Sequence, residues 1–187
     1  MDCFVLLRNH APSDLSYDLL VVHSCAVAGK AARIGERIAK QGAFVNFQFL
    51  EEAAMLHDIG VYFTNATKVG GGGTEPYIRH GVLGGKLLRE LGYPKHARVA
   101  ERHTGVGITK EDIVSQGLPL PKRDFVPITL EEQIICYVDK FFSKSDSKAL
   151  EKEKSVEEIV QDLSKFGEGK VEKFLAWRRE FEGKSQK

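Results

Sequence analysis

Residues 55 to 60 read MLHDIG, a histidine and an aspartate side by side at the end of an apolar run. Taken alone, His57 and Asp58 are ordinary polar residues in the last turn of a helix that Gly60 stops. They acquire chemical meaning only if other ionisable side chains converge on them. The test is therefore where the remaining histidines and carboxylates fall on their own helices. Residues three or four apart share a helix face, so a polar residue in phase with an apolar stripe points inward.

The periodicity throughout is helical, without an internal repeat or a clear alternating strand. A long amphipathic helix is predicted over 15 to 41, with Leu19, Val22, Ala26, Val27, Ala31, Ile34 and Ile38 as its stripe and Gly42 as its stop. A second, over 47 to 57, carries Leu50, Ala53 and Ala54. A third, over 77 to 91, carries Leu83, Leu87 and Leu91, while Gly84 and Gly85 lower its propensity and permit close packing. A short fourth covers 95 to 103. Glycines and prolines then dominate 105 to 127, with one helical turn expected after Thr109. Thr129 and Glu132 form a capping box that opens a helix bearing Ile134, Ile135, Val138 and Phe142 on one side. Two charged amphipathic helices over 155 to 166 and 170 to 181 follow, the second marked by Val171, Phe174, Trp177 or Arg178, and Phe181. The expectation is an all-α fold: one compact multi-helix bundle over 1 to 187, with a core at 15 to 145. Residues 146 to 187 form a C-terminal helical extension that packs on the domain or on a partner subunit, as in a homodimer.

In this reading His23 lies four residues after Leu19 and four before Val27, and His57 follows Ala53 and Ala54. His80 precedes Leu83 and Gly84, His103 follows Val99 and Ala100, and Asp139 follows Ile135 and precedes Phe142. With Asp58, four histidines and two carboxylates aim at the core. Burying that many is costly unless they share a charge partner, because an unpaired buried carboxylate carries a heavy desolvation penalty. A bound dication removes the difficulty. Imidazole with carboxylate and no thiolate suits Fe, Mn, Co, Ni or Zn rather than Mg or Ca. Six ligands exceed what one four-coordinate ion needs, so two divalent transition metal ions bridged by a carboxylate is the economical reading. His96 passes the same phase test but follows Pro94 and Lys95, where a solvated first turn is expected. His10 falls in a polar stretch before any helix and is expected at the surface.

Composition restricts the partners. A 42% hydrophobic content in 187 residues supports a substantial core, and a formal charge of +1 offers no field for a nucleic acid polymer or an anionic membrane. Cys3, Cys25 and Cys136 are odd in number and widely spaced, which fits reduced thiols filling a core in a cytoplasmic protein. The apolar CFVLL is too short for a signal peptide, and no run approaches the ~18 residues of a membrane span.

The order His23, His57-Asp58, Asp139, each on a separate helix, resembles the HD superfamily of metal-dependent phosphohydrolases, and HDIG is the form of its HDIG subgroup. His80 and His103 resemble the additional ligands of its dinuclear members. The resemblance covers about residues 15 to 145 and implies an all-α HD-domain bundle. It also implies that His23, His57, Asp58 and Asp139 hold one metal, with Asp58 bridging to a second held by His80 and His103. Fe or Mn is the expected metal pair, with Zn, Co and Ni as alternatives.

The implied activity is hydrolysis of a phosphoester or phosphoanhydride of a nucleotide or other small phosphorylated molecule by a metal-activated water. Asp58 would orient that water, and Lys140, beside Asp139, would contact the phosphate. Arg79, Arg102 and Lys30 are read as structural. The ligand order resembles bacterial dinucleoside tetraphosphate hydrolases and small nucleotide phosphatases. It departs from the cyclic-di-GMP group, because TGVGI follows His103 where that group has a second histidine and GYP. Two other outcomes remain open at this stage: a mixed-valence di-iron oxygenase on the same kind of cage, and a non-catalytic metal-stabilised binding protein. The run KVGGGGTEPY at 68 to 77 lacks the GK[ST] of a P-loop and is read as a flexible lid. The 105 to 127 excursion is the other expected wall of the site.

Overall fold

The computed structural model describes residues 1 to 144 and 153 to 183. Its elements are α1 (Cys3–His10), α2 (Asp14–Lys40), α3 (Phe47–Leu56), α4 (His80–Glu90), α5 (Pro94–Arg102), α6 (Lys110–Ser115), α7 (Leu130–Asp139), α8 (Val156–Ser164) and α9 (Glu168–Phe181), with short 3-10 turns between α3 and α4. Only isolated β-bridges accompany them among the described residues. The fold is all-α, as expected. No described helix is long and apolar enough to cross a membrane. The expected break at 145/146 falls in 145 to 152, outside the described residues.

Local chemistry starts the helices. Thr109 with Asp112, Thr129 with Glu132 and Ser155 with Glu158 each form a reciprocal capping box, satisfying orphan amides at α6, α7 and α8. Ser13 and Asn46 cap α2 and α3. The helix α1 was not anticipated. Asp2 caps it, and it carries His10 in its last turn, with Nδ1 donating to Leu6 O at 2.8 Å.

Two apolar clusters share α2, α3 and α5. One gathers Val27, Ile34, Leu50, Val99, Ile135, Phe174 and Phe181, and the other Leu7, Leu20, Leu56, Ile59, Leu88 and Ala100. In chain order His23 falls between Leu20 of one cluster and Val27 of the other, so it enters where the two cores adjoin. The observed face of α2 runs Ser16, Leu20, His23, Ser24, Val27, Ala31, Ile34 and Ile38. Leu19 is only half-buried and Val22 is exposed, because the 3.6-residue period that fits the C-terminal half brings Leu20 inward instead.

The face of α4 differs more. Its buried residues are His80, Gly81, Gly84, Gly85 and Leu88, whereas Leu83 and Leu87 are half-buried and Leu91 is exposed. Helix α4 turns its glycines, not its leucines, towards its neighbours, because only a face without Cβ atoms fits the approach. A Cβ on Gly81 would stand 2.7 Å from Ala100 O, and one on Gly85 would stand 2.4 Å from Glu101 Cγ. Gly60 fits the same approach from the other side. It does not stop a helix: α3 ends at Leu56, and a 3-10 turn, Ile59–Phe63, runs through Gly60. A Cβ there would lie 1.9 Å from His80 O.

The glycine run at 70 to 73 is laced rather than loose. The amides of Gly70, Gly71, Gly72 and Gly73 donate to the carbonyls of Thr67, Ala66, Tyr62 and Thr64, so none is free to cradle a phosphate. Cys3 and Cys136 are buried, but Cys25 is exposed, on the outer side of α2. His96 is buried, not solvated: its Nε2 lies 3.3 Å from Glu52, and its ring packs edge-on to Phe49 and Tyr93.

Candidate metal centre

Each histidine of the cluster reaches it from a helix end or from mid-helix. His57 and His103 are the C-caps of α3 and α5, His80 is the first residue of α4, Asp139 is the last of α7, and His23 lies within α2. All six of His23, His57, Asp58, His80, His103 and Asp139 are buried. They form two groups, His23–His57–Asp58–Asp139 and Asp58–His80–His103, whose ligand atoms lie within 4.8 Å of one another. Asp58 belongs to both. Its Oδ2 faces His23 and His57 at 3.3 and 3.4 Å, and its Oδ1 faces His80 and His103 at 3.6 and 3.1 Å.

Hydrogen bonding fixes the imidazole tautomers. Nδ1 of His57, His80 and His103 lies 2.6, 2.7 and 2.8 Å from the carbonyls of Ala54, Tyr77 and Ala100. A carbonyl only accepts, so each Nδ1 carries its proton, and Nε2 is the atom turned inward. This is how metal-binding histidines are held. Burial drives His80 down to about 3 and His103 down as well. Their two Nε2 atoms, 3.0 Å apart, therefore meet as lone pair against lone pair. Neither oxygen of Asp58 receives a well-formed hydrogen bond. Lys144 and His57 bring positive charge to these buried acceptors, and a bound cation would compensate the lone pairs of His80 and His103 as well. With metal–nitrogen bonds of about 2.1 Å, neighbouring ligand atoms on one ion stand roughly 3.0 to 3.4 Å apart, close to the spacings observed. The buried histidine and aspartate clusters can bind metal ions.

The surrounding charges are arranged to keep both carboxylates ionised. Burial alone would raise Asp58 and Asp139, but Lys144 with His57 and the neighbouring histidines hold the first well below the usual carboxylate range, and Lys140 with Lys144 does so for the second. His57 is also penalised by burial, yet Asp58 and Asp139 lift it to about 9.

Above the cluster opens a cavity of about 680 Å³ that reaches Asp139 and is lined by Tyr77, Lys68, Lys140, Lys144 and Lys154, among others. Lys140 stands at its wall with Nζ 2.9 Å from Asp139 Oδ2. Lys144 was not singled out in the sequence, because it lies beyond the last helical residue of α7, where no helix phase points to it. Tyr77 was also missed, although its place three residues before His80 puts it on the same side. Its ring stacks on His80 at 4.7 Å, and its hydroxyl lies 3.5 Å from Lys144 Nζ. The cations read as structural have partners elsewhere: Arg79 with Glu75, Arg102 with Glu132, and Lys30 with Glu153 and over the ring of Phe141.

The chain matches the HD domain family over residues 20 to 143 and belongs to that family. It is 40% identical over 127 residues to an uncharacterised protein of Methanocaldococcus jannaschii, covering 67% of this chain and 68% of that protein. It is also similar to two proteins named tRNA (cytidine(56)-2'-O)-methyltransferase. The one from Picrophilus torridus is 32% identical over 75% of this chain and 35% of that protein. The one from Thermoplasma volcanium is 31% identical over 88% of this chain and 41% of that protein. The chain thus spans well under half of either methyltransferase. No solved structure gives a significant match.

Proposed function

We propose that the chain is a metal-dependent phosphohydrolase that cleaves a phosphoester or phosphoanhydride of a small phosphorylated molecule, with nucleotides in that class. The observation that carries this reading is the sharing of Asp58 between two converging donor sets, one of which reaches a lysine-lined cavity through Asp139. His23, His57, Asp58 and Asp139 would hold one ion and Asp58, His80 and His103 a second; the mixed imidazole and carboxylate donors suit a first-row transition metal, and the HD resemblance favours Fe or Mn among these. Ions bound there lower the pKa of water toward neutrality and neutralise charge on phosphoryl oxygens.

The chain's own groups supply the rest. Asp58 fixes the relative position of the two donor sets and orients the attacking water. Lys140 and Lys144 present fixed positive charge to the phosphate, where preorganised donors act most strongly. Tyr77 holds the Lys144 ammonium at one side of the cavity. The expected partner is small, since the net charge of +1 offers no broad field for a polyanion. The methylation named for the Picrophilus and Thermoplasma relatives is not carried over, because the shared region is a minor part of those proteins.

The test uses the full chain loaded with Mn or with Fe(II) under reducing conditions. Elemental analysis gives metal per chain, and a panel of phosphomonoesters, diesters and nucleotides is assayed for phosphate and nucleotide release. The expected result is metal-dependent release that Asp58→Asn abolishes. Dioxygen consumption without phosphate release would assign the oxygenase chemistry instead. Retained metal with neither reaction would leave a binding protein.

A further inference from the structure

A second cavity, of about 290 Å³, adjoins the first. The two share Gly105, Leu163 and Phe166 as walls, and neighbouring Tyr77 and Ile78 face one cavity each. Thr104, also in the wall of the second, places Oγ1 3.4 Å from His80 Nε2. The smaller cavity therefore shares a wall residue with the surroundings of His80, and Lys140 is not among its lining.

Its wall is less charged than its neighbour's, with Asp112 and Lys170 where the first has Lys68, Lys140, Lys144, Lys154, Asp139 and Asp162. The side chains facing the smaller cavity are mainly Val106, Ile108, Leu118, Leu163 and Phe166, with Thr104 and the Gln116 amide as polar groups at its wall. The backbone groups around it are already used. Gly107 N donates to Thr104 O at 3.0 Å, and Gly107 O accepts from Lys170 Nζ at 2.8 Å. Ile108 exchanges both of its backbone bonds with Phe125, while the Cys136 thiol lies 3.3 Å from His103 O and 3.5 Å from Gly105 O. Asp112, the acid in this wall, is held by Lys170 and by the Thr109 amide. The pocket thus offers contact area but few free hydrogen-bonding partners. A hydrogen-bonding edge buried there would lose water without replacement, whereas an apolar group loses nothing.

We infer that this second cavity is the subsite for an apolar aryl or branched alkyl group of the substrate, whose phosphate occupies the lysine-lined half. The inference rests on the phosphohydrolase reading for the phosphate half only. The size suffices, since a cavity of about 150 Å³ already accepts a benzene ring. The substrate class is then phosphoesters of apolar alcohols or phenols, in preference to polyol and sugar phosphates.

The subsite is tested without metal or turnover by titrating phenol, with glycerol as control, into the full metal-free chain carrying 13C-labelled methyl groups. Saturable shifts at Val106, Ile108 and Leu118 with phenol and none with glycerol are expected, lost in Leu118→Trp, which fills the cavity. Leu118→Asp, which keeps the space but makes it polar, weakens the same response. No saturable shift at these methyls, or an equal response to glycerol, would overturn the inference. In the Mn-loaded chain, kcat/KM for phenyl phosphate exceeds that for glycerol phosphate by about tenfold or more, and the ratio collapses in Leu118→Trp. Equal values in the unaltered chain would reject the apolar subsite while leaving the hydrolase standing. Phenol binding with neither ester cleaved would retain the subsite and reject the hydrolase.

Discussion

Lys144 Nζ lies against Asp58 Oδ2 and 3.6 Å from Asp139 Oδ1, so one buried ammonium spans both carboxylates of the cluster. Burial works against its charge, but Asp139 and Asp58 raise its pKa well above the ordinary lysine value. It is an ammonium in the wall of the cavity, where the proposed phosphate would sit, and it offers no lone pair to a metal. Lys144→Met should keep the metal content of the unaltered chain and lower phosphate release by about 100-fold, the order seen when one preorganised donor is removed. Elemental analysis and steady-state kinetics on the same preparation decide it; full turnover in the variant would rule the role out.

Asp58 faces both donor sets, whereas His103 faces one. Removing them should therefore differ in kind. Asp58→Asn is expected to empty both positions, while His103→Ala should leave the metal held by His23, His57 and Asp139. Metal per chain after dialysis separates the cases. Equal losses in the two variants would mean that the two donor sets do not act separately.

Metal uptake should release protons. Without metal, His57 keeps its proton up to about pH 9, because Asp58 and Asp139 hold it against the penalty of burial. Ligation needs the neutral ring. At pH 7.5 binding must expel that proton, so apparent metal affinity should rise with pH and level off above about 9. Calorimetric titration in two buffers of different ionisation enthalpy reads the release directly, and identical heats in both would contradict it.

Gly60→Ala should be disproportionately damaging for one methyl group. The new Cβ would meet the carbonyl of His80 and the backbone of Gly84, neither of which is the movable end of a side chain. A loss of about 3 kcal/mol or more is expected, at the upper end for overpacking, together with weaker metal retention, since Asp58 and His80 flank the contact. Denaturant titration measures the first and elemental analysis the second.

Much of this was legible from residue order. The capping box at Thr129, the helical turn after Thr109 and the inward phases of His23, His57, His80, His103 and Asp139 are local properties of helices, and local properties are written in sequence. What was not legible depends on where the chain returns. Lys144 comes back to Asp58 only after α7 has ended, so no helical period points to it. The burial of α4 through its glycines follows from a backbone approach that leucine spacing does not encode. Helix α1 is too short for its apolar period to stand out, and His96 looks solvated until Glu52 arrives from α3 to meet it.

The aromatic layer behind α7 has a consequence for where this protein can be cut or joined. Tyr137, two residues before Asp139, stacks on Phe174 at 5.0 Å and meets Phe181 edge-on at 5.5 Å. The family match ends at 143, yet the buried cluster that backs Asp139 continues through α9. The evolutionary boundary and the physical one do not coincide. An engineer grafting this module into a longer chain, or trimming it to the recognisable family segment, would sever the buttress of Asp139 while leaving every histidine in place.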